Sequence, residues 1–260
     1  MNYISSPQNP KICLARALLG RRKEREKAQA FVVEGVRLLE EAFHAGWLPQ
    51  FILFSENLSS RGQEMLDSHG ERGVEIYLAP THMLESLSDT QTSQGVLAVM
   101  PRPQPALPTQ LNFLVVADRL RDPGNLGTLM RTAEAAGAQA LIVTPGTTDP
   151  FAPKAVRAGM GAHFNLPVFA LDWEKTAALV KQQGIFLYLA AAQNGVPAWK
   201  LDLRQPTGLV IGGEAEGASP QAFQHANEII TIPMPGKSES LNAAAAAAII
   251  LFELVRQRCS

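Results

Sequence analysis

The sequence predicts an α/β protein with two domains, and two observations support this fold class. Short apolar runs alternate with amphipathic or alanine-rich segments along the 260 residues, which is typical of strands joined by helices. Residues 101–109 contain four prolines and show no apolar periodicity, which indicates a semi-rigid linker. We therefore predict one domain over residues 1–104 and a second over residues 110–260.

The composition narrows the class of protein. Apolar residues make up 46% of the chain, which is enough to fill a core and argues against disorder. The formal charge of −1 argues against a nucleic-acid-binding protein whose whole surface is basic. A local basic patch remains compatible with this charge. Cys13 and Cys259 form no CxxC pair, which favours a reduced, cytoplasmic protein. We see no signal-peptide core and no apolar run suited to a bilayer, so no membrane association is expected.

The first domain shows a regular alternation of elements. We predict strands at residues 31–35, 50–55, 74–79 and 95–100, with helices at 36–46, 61–69 and 81–87. Ahead of them, residues 11–27 contain seven basic and two acidic side chains. This basic run is interpreted either as a solvated helix face or as an edge that faces phosphates, and both interpretations stay open.

The second domain alternates more strongly. We predict strands at residues 113–118, 140–144, 166–170, 185–192, 208–214 and 228–234, with helices at 123–137, 152–159, 173–183, 220–225 and 240–257. Continuous apolar strands joined by helices indicate a parallel sheet covered on both faces. Such sheets bind ligands in the crevice beyond the carboxyl ends of their strands. The loops that follow these strands are therefore the place to look for function.

The first informative loop follows the strand at 113–118. Pro123 suits the first helical turn, and Asn125 is predicted to cap the helix by accepting a backbone N–H. Gly127 permits close approach of another backbone. Arg131 lies near the same edge of the sheet, where its guanidinium could contact a phosphate or a hydroxyl that loses its proton. A capped helix with one surface arginine is the alternative interpretation.

Two further loops have unusual composition. The second places Gly212, Gly213, Glu214 and Gly217 after an apolar strand, a pattern that lets a ligand touch backbone but is weak alone. The third, residues 232–242, begins with Ile-Pro-Met-Pro-Gly and leads into an alanine-rich helix that Ser240 or Asn242 could cap. Its Gly-Lys-Ser is not a phosphate-binding P-loop, because residue 231 is threonine where that motif requires glycine.

Together the three loops resemble the motifs of the SpoU/TrmH family of RNA 2'-O-ribose methyltransferases, in the SPOUT class. The similar segments are, in order, Asn125-x-Gly127-x3-Arg131-Thr132-Ala133, then Gly212-x-Glu214-x2-Gly217, and finally Ile232-Pro233-Met234-x-Gly236 with Ser240-Leu241-Asn242. One departure is Gly213, where the family often has asparagine. Residues 31–42 and 90–99 are similar to the substrate-binding domain of the family's rRNA-directed members. The resemblance implies a parallel-sheet SPOUT domain with a trefoil knot, preceded by a small L30e-like α/β domain.

The resemblance also implies chemistry, namely methyl transfer from S-adenosylmethionine to a ribose 2'-hydroxyl. The implied catalytic residues are Arg131, Asn125, Glu214, Ser240 and Asn242. The implied cofactor-binding residues are Gly212, Gly213, Glu214, Gly217, Ile232, Pro233, Met234, Ser240 and Leu241. Because arginine stays protonated, Arg131 is expected to stabilise the developing alkoxide or to hold a phosphate that accepts the proton. His163 is expected to be a loop residue rather than a base, and no ligand cluster has metal-site spacing.

The implied partners are RNA and a second copy of the chain. We expect RNA to contact Arg22, Arg25, Arg119, Arg121, Arg157 and Lys237. The implied homodimer forms through the C-terminal domain, with Leu251, Phe252, Leu254 and Val255 either at its interface or buried in their own subunit. By analogy with the family the substrate is 23S rRNA; a tRNA substrate and a non-catalytic RNA-binding protein are the alternatives. A Rossmann dehydrogenase is excluded, because no GxGxxG follows the first strand of the second domain.

Overall fold

The computed structural model describes residues 2–70, 73–88, 93–214 and 217–259. Residues 90–92, which carry part of the resemblance to a substrate-binding domain, lie outside this range. The chain divides into two compact units. The first comprises Met1–Gln104 together with Phe151–Arg157, and the second comprises Pro105–Pro150 and Ala158–Ser260. The sequence did not predict that residues 151–157 would group with the first unit.

The first unit contains a mixed sheet. Its elements are β1 (Asn2–Tyr3), α1 (Pro10–Gly20), α2 (Arg22–Ala28), β2 (Ala30–Glu34), α3 (Val36–His44), β3 (Phe51–Phe54), α4 (Ser60–Gly70), β4 (Glu75–Leu78), α5 (Thr81–Glu85) and β5 (Val96–Pro101). The strand order is β1-β4-β3-β5-β2. β1, β4 and β3 are parallel, whereas β5 runs antiparallel to both β3 and β2. The predicted strands and helices of this unit are present, with ends that differ by one or two residues.

The second unit contains the larger sheet. Its elements are β6 (Phe113–Asp118), α6 (Pro123–Ala135), β7 (Ala140–Val143), α7 (Pro153–Gly159), α8 (Ala162–Asn165), β8 (Val168–Ala170), α9 (Trp173–Gln182), β9 (Phe186–Ala190), β10 (Val196–Pro197), a 3-10 turn (Ala198–Lys200), β11 (Thr207–Gly212), α10 (Pro220–His225), β12 (Glu228–Thr231) and α11 (Ala243–Arg258). α7 is shared, since its residues up to Arg157 group with the first unit. The sequence missed α8, β10 and the 3-10 turn, which are each four residues long or shorter.

This sheet is parallel throughout, as predicted. Its order is β10-β12-β9-β11-β6-β7-β8, and every pairing between neighbours is parallel. In this order β9, β11 and β6 are adjacent, although they are far apart in sequence. The carboxyl ends of β9, β11, β12 and β6 therefore meet at one edge of the sheet, where ligands of such folds bind.

Both faces of this sheet are buried, which also agrees with the prediction. Along β6, Phe113, Val115 and Ala117 belong to one apolar cluster with buried side chains of α6 and α11. Leu114 and Val116 belong to a second cluster with side chains of α9 and α10. The alternation follows from the two-residue period of a strand. The knot implied by the resemblance stays a prediction. None of the described helices is long and apolar enough to cross a bilayer.

Candidate active site

A cavity of about 430 Å³ opens at the carboxyl ends of β9, β11 and β12. Its walls are the segments that follow these strands and the first turns of α11. Nine of the residues predicted to bind cofactor or to act in catalysis line it: Gly212, Gly213, Glu214, Gly217, Ile232, Met234, Ser240, Leu241 and Asn242. The second and third loops thus form one site, although residues 218–231 separate them in sequence.

Two glycines allow the second loop to fold tightly. A Cβ atom added to Gly212 would lie 2.5 Å from the backbone nitrogen of Ala218, and one added to Gly213 would lie 2.5 Å from the carbonyl oxygen of Arg119. Either contact is closer than packed atoms tolerate, so any side chain there would displace backbone. This geometry explains why glycine suits position 213 in this chain, where the resembling family often has asparagine.

A polar chain connects the first loop to the other two. Asn242 Nδ2 donates a hydrogen bond to Asn125 Oδ1 at 2.9 Å. Asn125 Nδ2 in turn donates to Glu214 Oε1. Asn242 Oδ1 accepts from the backbone N–H groups of Ala244 and Ala245 at 3.0 and 3.2 Å, and so caps α11. The three predicted side chains therefore form one connected group, and the prediction that Ser240 or Asn242 caps the last helix is resolved in favour of Asn242.

The predicted helix-capping role of Asn125 is wrong. Asp122 is the N-cap of α6, because its carboxylate accepts the backbone N–H of Asn125 at 2.8 Å. The helix begins at Pro123, which leaves Asn125 inside the first turn. Its side chain is consequently available to bond Glu214 and Asn242 rather than its own helix.

Three predicted site residues do not line the cavity: Asn125, which is connected to the lining through its bonds to Glu214 and Asn242, and also Pro233 and Arg131. Pro233 is exposed, between the lining residues Ile232 and Met234. Arg131 lies on the exposed face of α6, six residues after Asn125 and so about 9 Å further along the helix axis. Among the described residues its guanidinium makes no hydrogen bond or ion pair. Arg131 therefore lies outside the cavity lining, and its expected role toward the ribose hydroxyl or a phosphate stays a prediction.

Several lining residues were missed by the sequence interpretation. They are Ala190, Ala191, Ala192, Ile211, Ala218, Phe223, Ala243, Ala246 and Ile250. The three alanines at the end of β9 could have been found, because the rule that ligands bind beyond parallel strands applies to this strand too. Phe223 is 51% exposed on α10 and is the one aromatic side chain among the described lining residues. Nothing in its local sequence pattern marks it as a site residue.

His163 is buried in α8 instead of lying in a loop. It is 3% exposed, and its Nε2 donates a hydrogen bond to the carbonyl of Pro150 at 2.6 Å. Burial lowers the pKa of His163 to about 4, although the Pro150 carbonyl and the Asp149 carboxylate act in the opposite direction. The imidazole is therefore neutral at physiological pH and sits outside the cavity lining.

The basic residues predicted to contact RNA differ in exposure. Arg25 is 4% exposed and donates to the carbonyl of Leu18 at 2.5 Å, so its assignment to an RNA surface is wrong. Arg22 is half exposed and pairs with Glu26 at 2.8 Å. Arg157 is partly exposed, with its Nη1 3.9 Å from Glu34. The remaining predicted contacts comprise the exposed Arg121 and Lys237 and the half-buried Arg119.

The cavity suits a ligand that combines a neutral planar ring with a positively charged group. Most lining side chains are small or apolar, and Glu214 is the one ionisable residue among the described residues of the lining. The volume of the cavity lies within the range of small-molecule sites, which are mostly apolar with a few polar groups. The described residues contain no cluster of histidine, cysteine or carboxylate groups that could hold a metal ion. The lining side chains therefore fit an organic ligand, such as a nucleoside that carries a positively charged group.

Family profiles match both parts of the chain. One described as the SpoU rRNA Methylase family matches residues 112–252, and one described as an MRM3-like substrate binding domain matches residues 9–98. The chain is 32% identical over 254 residues to the 23S rRNA (guanosine(2553)-2'-O)-methyltransferase RlmP of Bacillus subtilis, which covers 98% of this chain and 99% of the relative. It is 35% identical over 258 residues to the 23S rRNA (uridine(2479)-2'-O)-methyltransferase of Streptomyces viridochromogenes, with 94% and 89% covered.

A solved structure matches the whole chain as well. The AdoMet-bound rRNA methyltransferase of Sinorhizobium meliloti superposes with a TM-score of 0.87 at 29% sequence identity. The match covers 100% of this chain and 99% of that protein. The likeness therefore extends over both units and is not confined to the motifs.

Proposed function

The chain belongs to the SpoU rRNA methylase family, and we propose that it transfers the methyl group of S-adenosylmethionine to a ribose 2'-hydroxyl of 23S rRNA. The observation that carries this proposal is the cavity at the ends of β9, β11 and β12, where the second and third predicted loops form one site. The relatives that match nearly the full length carry this activity in their names.

Small residues and backbone groups would hold the cofactor. When bound, S-adenosylmethionine supplies an electrophilic methyl group on a sulfonium. Gly212, Gly213 and the alanines at the end of β9 leave room for an adenosine against backbone, and Ile232, Met234 and Leu241 offer apolar contact. The Glu214 carboxylate provides the negative charge that favours a cationic ligand. No metal is needed for this reaction.

The polar chain would orient the groups around the reacting centre. The Asn242 side chain is held in position because its Oδ1 caps α11. Its amide bonds Asn125, and the Asn125 amide in turn bonds Glu214, so all three side chains are held in position. Such preorganisation favours catalysis, because reacting groups held in the productive geometry avoid the entropy cost of alignment, worth roughly 7–11 kcal/mol. Ser240 lines the same cavity and would contribute a hydroxyl to this arrangement.

Arg131 would act on the RNA rather than on the cofactor. Its position outside the cavity lining and on an exposed helix face agrees with a role toward a substrate that arrives from solvent. Because a guanidinium does not lose its proton in proteins, it cannot serve as the base. It would stabilise the developing alkoxide or hold a phosphate that accepts the proton, and removing such a group costs about a hundredfold to a thousandfold in rate.

An rRNA substrate is favoured over tRNA by the first unit. Residues 9–98 match a profile described as a substrate binding domain, and the full-length relatives are named for 23S rRNA. A non-catalytic RNA-binding protein is disfavoured because the cavity and the polar chain are both intact. Binding of S-adenosylmethionine in calorimetry distinguishes the two, because only the enzyme requires it.

RNA would contact the basic run of α1 and α2 through its exposed members. Arg16, Arg21, Lys23 and Lys27 are exposed there, in addition to the half-exposed Arg22. They replace the buried Arg25 in the proposed surface. Phosphate contacts release counterions, so affinity for an rRNA fragment should fall by about a thousandfold or more between 50 and 200 mM salt.

A homodimer would form through α11. Leu251 and Leu254 are buried in their own subunit at 0% and 2% exposure, so for these two residues the second of the two predicted roles applies. Ala245, Ile249 and Phe252 instead form an exposed apolar stripe at helical spacing, hereafter the α11 stripe. Ile249 and Phe252 are 45% and 50% exposed, and because they share one face of α11 they contribute to a contiguous apolar surface of the kind that marks an interface. The proposed location is the cytoplasm, because Cys13 and Cys259 are free thiols.

Methyl transfer tests this function directly. The purified chain is incubated with S-adenosylmethionine carrying a labelled methyl group and with unmodified 23S rRNA, 16S rRNA or tRNA. The label should appear in 23S rRNA at one 2'-oxygen, which resists alkaline cleavage of the adjoining phosphodiester. Label confined to tRNA would establish the tRNA alternative, and absence of label together with absence of cofactor binding would establish the non-catalytic one.

A further inference from the structure

A buried carboxylate lies beside the second loop of the site. Asp118 is the last residue of β6 and is 0% exposed. Its partner in the register of the parallel pair is Gly212, the last residue of β11 and a lining residue of the cavity. The segment from Gly212 to Ser219, of which residues 215 and 216 are not described, therefore begins next to Asp118.

The carboxylate also bonds the far end of this segment. Asp118 Oδ2 accepts the backbone N–H of Ser219 at 2.6 Å. Asp118 Oδ1 accepts from Thr144 Oγ1 at 2.7 Å and from Trp173 Nε1 at 2.9 Å. Oδ1 is thus anchored to Thr144, which follows β7, and to Trp173, the first residue of α9. Oδ2 holds the loop through Ser219.

From these contacts we propose that Asp118 is a positioning residue that fixes the cofactor loop through the Ser219 amide; this inference rests on the proposed function. Ser219 is held a second way, because its Oγ accepts the Ala222 N–H at 3.2 Å and caps α10. Ala218, the residue before it, lines the cavity and packs tightly against Gly212. Holding Ser219 therefore holds the wall that Ala218 contributes.

The energetic reason lies in the burial of the carboxylate. A buried charge is costly unless hydrogen bonds compensate it, so each of its three donors is strongly constrained in position. If the Ser219 bond is lost, the loop spends less time in the arrangement that accepts the cofactor. The apparent affinity then falls in proportion to the competent fraction.

Asparagine at position 118 cannot accept all three hydrogen bonds that the carboxylate accepts, so the Ser219 tether competes with the other two. When its carbonyl keeps Thr144 and Trp173, its amide group faces the Ser219 N–H, and two donors oppose each other. When it is flipped, the carbonyl accepts from Ser219 and the amide donates to the Thr144 hydroxyl, but the amide then opposes the Trp173 N–H. Each orientation leaves one donor facing another, so Asp118→Asn alone cannot satisfy the site.

A second substitution should restore the tether. Trp173→Phe removes the opposing N–H and keeps a ring near His225, whose centroid lies 5.9 Å from the Trp173 ring. In the double variant Asp118→Asn/Trp173→Phe the flipped amide satisfies both Ser219 and Thr144. A residue that only contributed stability would show the opposite trend, because the double variant has lost a further hydrogen bond.

Calorimetric titration with S-adenosylmethionine, below the unfolding temperature of every variant, tests this inference. We expect Trp173→Phe to bind as the wild type does, Asp118→Asn to bind about tenfold to a hundredfold more weakly, and the double variant to regain most of the affinity. Equal affinity of Asp118→Asn and wild type, or a double variant no tighter than Asp118→Asn, would overturn the inference alone. A wild type that does not bind the cofactor would overturn the proposed function as well.

Hydrogen exchange gives a readout that does not depend on the cofactor. The Ser219 amide in the free protein should exchange faster in Asp118→Asn than in wild type, and slowly again in the double variant. Trp173→Phe serves as the matched control, because it removes a donor from the same carboxylate without touching the loop. Unchanged exchange of Ser219 in Asp118→Asn would contradict the tether.

Discussion

The amide of Asn242 donates a hydrogen bond of 2.9 Å to Asn125 Oδ1, and this bond joins the N-terminus of α11 to the first turn of α6. The same Asn242 side chain caps α11 through its Oδ1, so one residue has a structural and a positioning role. The two roles use different atoms. They can therefore be separated by substitution.

Asn242→Asp should separate them. Aspartate keeps an oxygen to cap α11 but loses the donor to Asn125, so the free energy of unfolding should stay near the wild-type value while the methylation rate falls about tenfold or more. Asn242→Ala loses both bonds and should destabilise the protein by about 1 kcal/mol. Urea unfolding and single-turnover methylation measure the two effects. Equal loss of stability in both variants would contradict the separation.

Gly212→Ala should damage the site through the backbone. Its Cβ would lie 2.5 Å from the Ala218 nitrogen, so the loop must shift at a cost of about 1–3 kcal/mol. We expect weaker binding of S-adenosylmethionine in calorimetry. Gly20→Ala is the matched control, because nothing lies within 4 Å of an added Cβ there. Wild-type affinity in Gly212→Ala would show that the close approach is not needed for binding.

Arg131→Ala should separate cofactor binding from catalysis. Because Arg131 lies outside the cavity lining, the affinity for S-adenosylmethionine should change little, whereas methylation should fall by about a hundredfold or more. Lys175→Ala is a control for loss of an exposed cation, since Lys175 pairs with Asp172 at 3.2 Å on α9. Near-normal turnover in Arg131→Ala would refute the assignment.

His163 should make stability depend on pH. Its pKa is lowered to about 4 in the folded protein by burial, whereas an unfolded histidine takes up a proton near pH 6.5. Between these values the unfolded state binds more protons, so stability is lost as the pH falls. Lowering the pH from 7 to 5 should reduce the free energy of unfolding by about 2 kcal/mol from this group. Urea unfolding of wild type and His163→Gln at pH 5, 6 and 7 measures it, and the same slope in both would exclude His163 as the source.

The α11 stripe should control assembly. Phe252→Asp places a charge on an exposed apolar surface, so it should weaken a dimer strongly while leaving the fold intact. Light scattering after size exclusion gives the mass of each species. Leu107→Asp, at a residue that is 42% exposed in the linker, controls for loss of an exposed apolar side chain. A wild type that is monomeric at micromolar concentration would contradict the stripe as an interface.

Local signals in the sequence were sufficient for the longer elements, and together with the family resemblance they identified nine of the eighteen described residues that line the cavity. Strand ends and glycine positions depend on near neighbours, so Gly212 and Gly213 were found without knowing the order of strands, whereas Leu241 was assigned only from the resemblance to the family motifs. Long-range contacts were not accessible in this way. Asn125 meets Glu214, and Asp118 meets Ser219, only because β6 and β11 are adjacent in the sheet.

Burial of individual side chains was also beyond the sequence pattern. Arg25 belongs to a run of cations, and only the packing of α1 and α2 shows that its guanidinium turns inward to the Leu18 carbonyl. Leu251 and Phe252 are adjacent, and the rotation of α11 against the sheet buries one and exposes the other. A helix whose apolar residues cover most of its surface gives no indication of which face will be buried.

A crystal structure with bound S-adenosylmethionine tests the central claim most directly. The adenosine should lie in the cavity at the ends of β9, β11 and β12, in contact with Gly212, Ile232 and Leu241. A cofactor bound elsewhere, with this cavity still empty, would contradict the assignment of the three loops to one methyl-donor site.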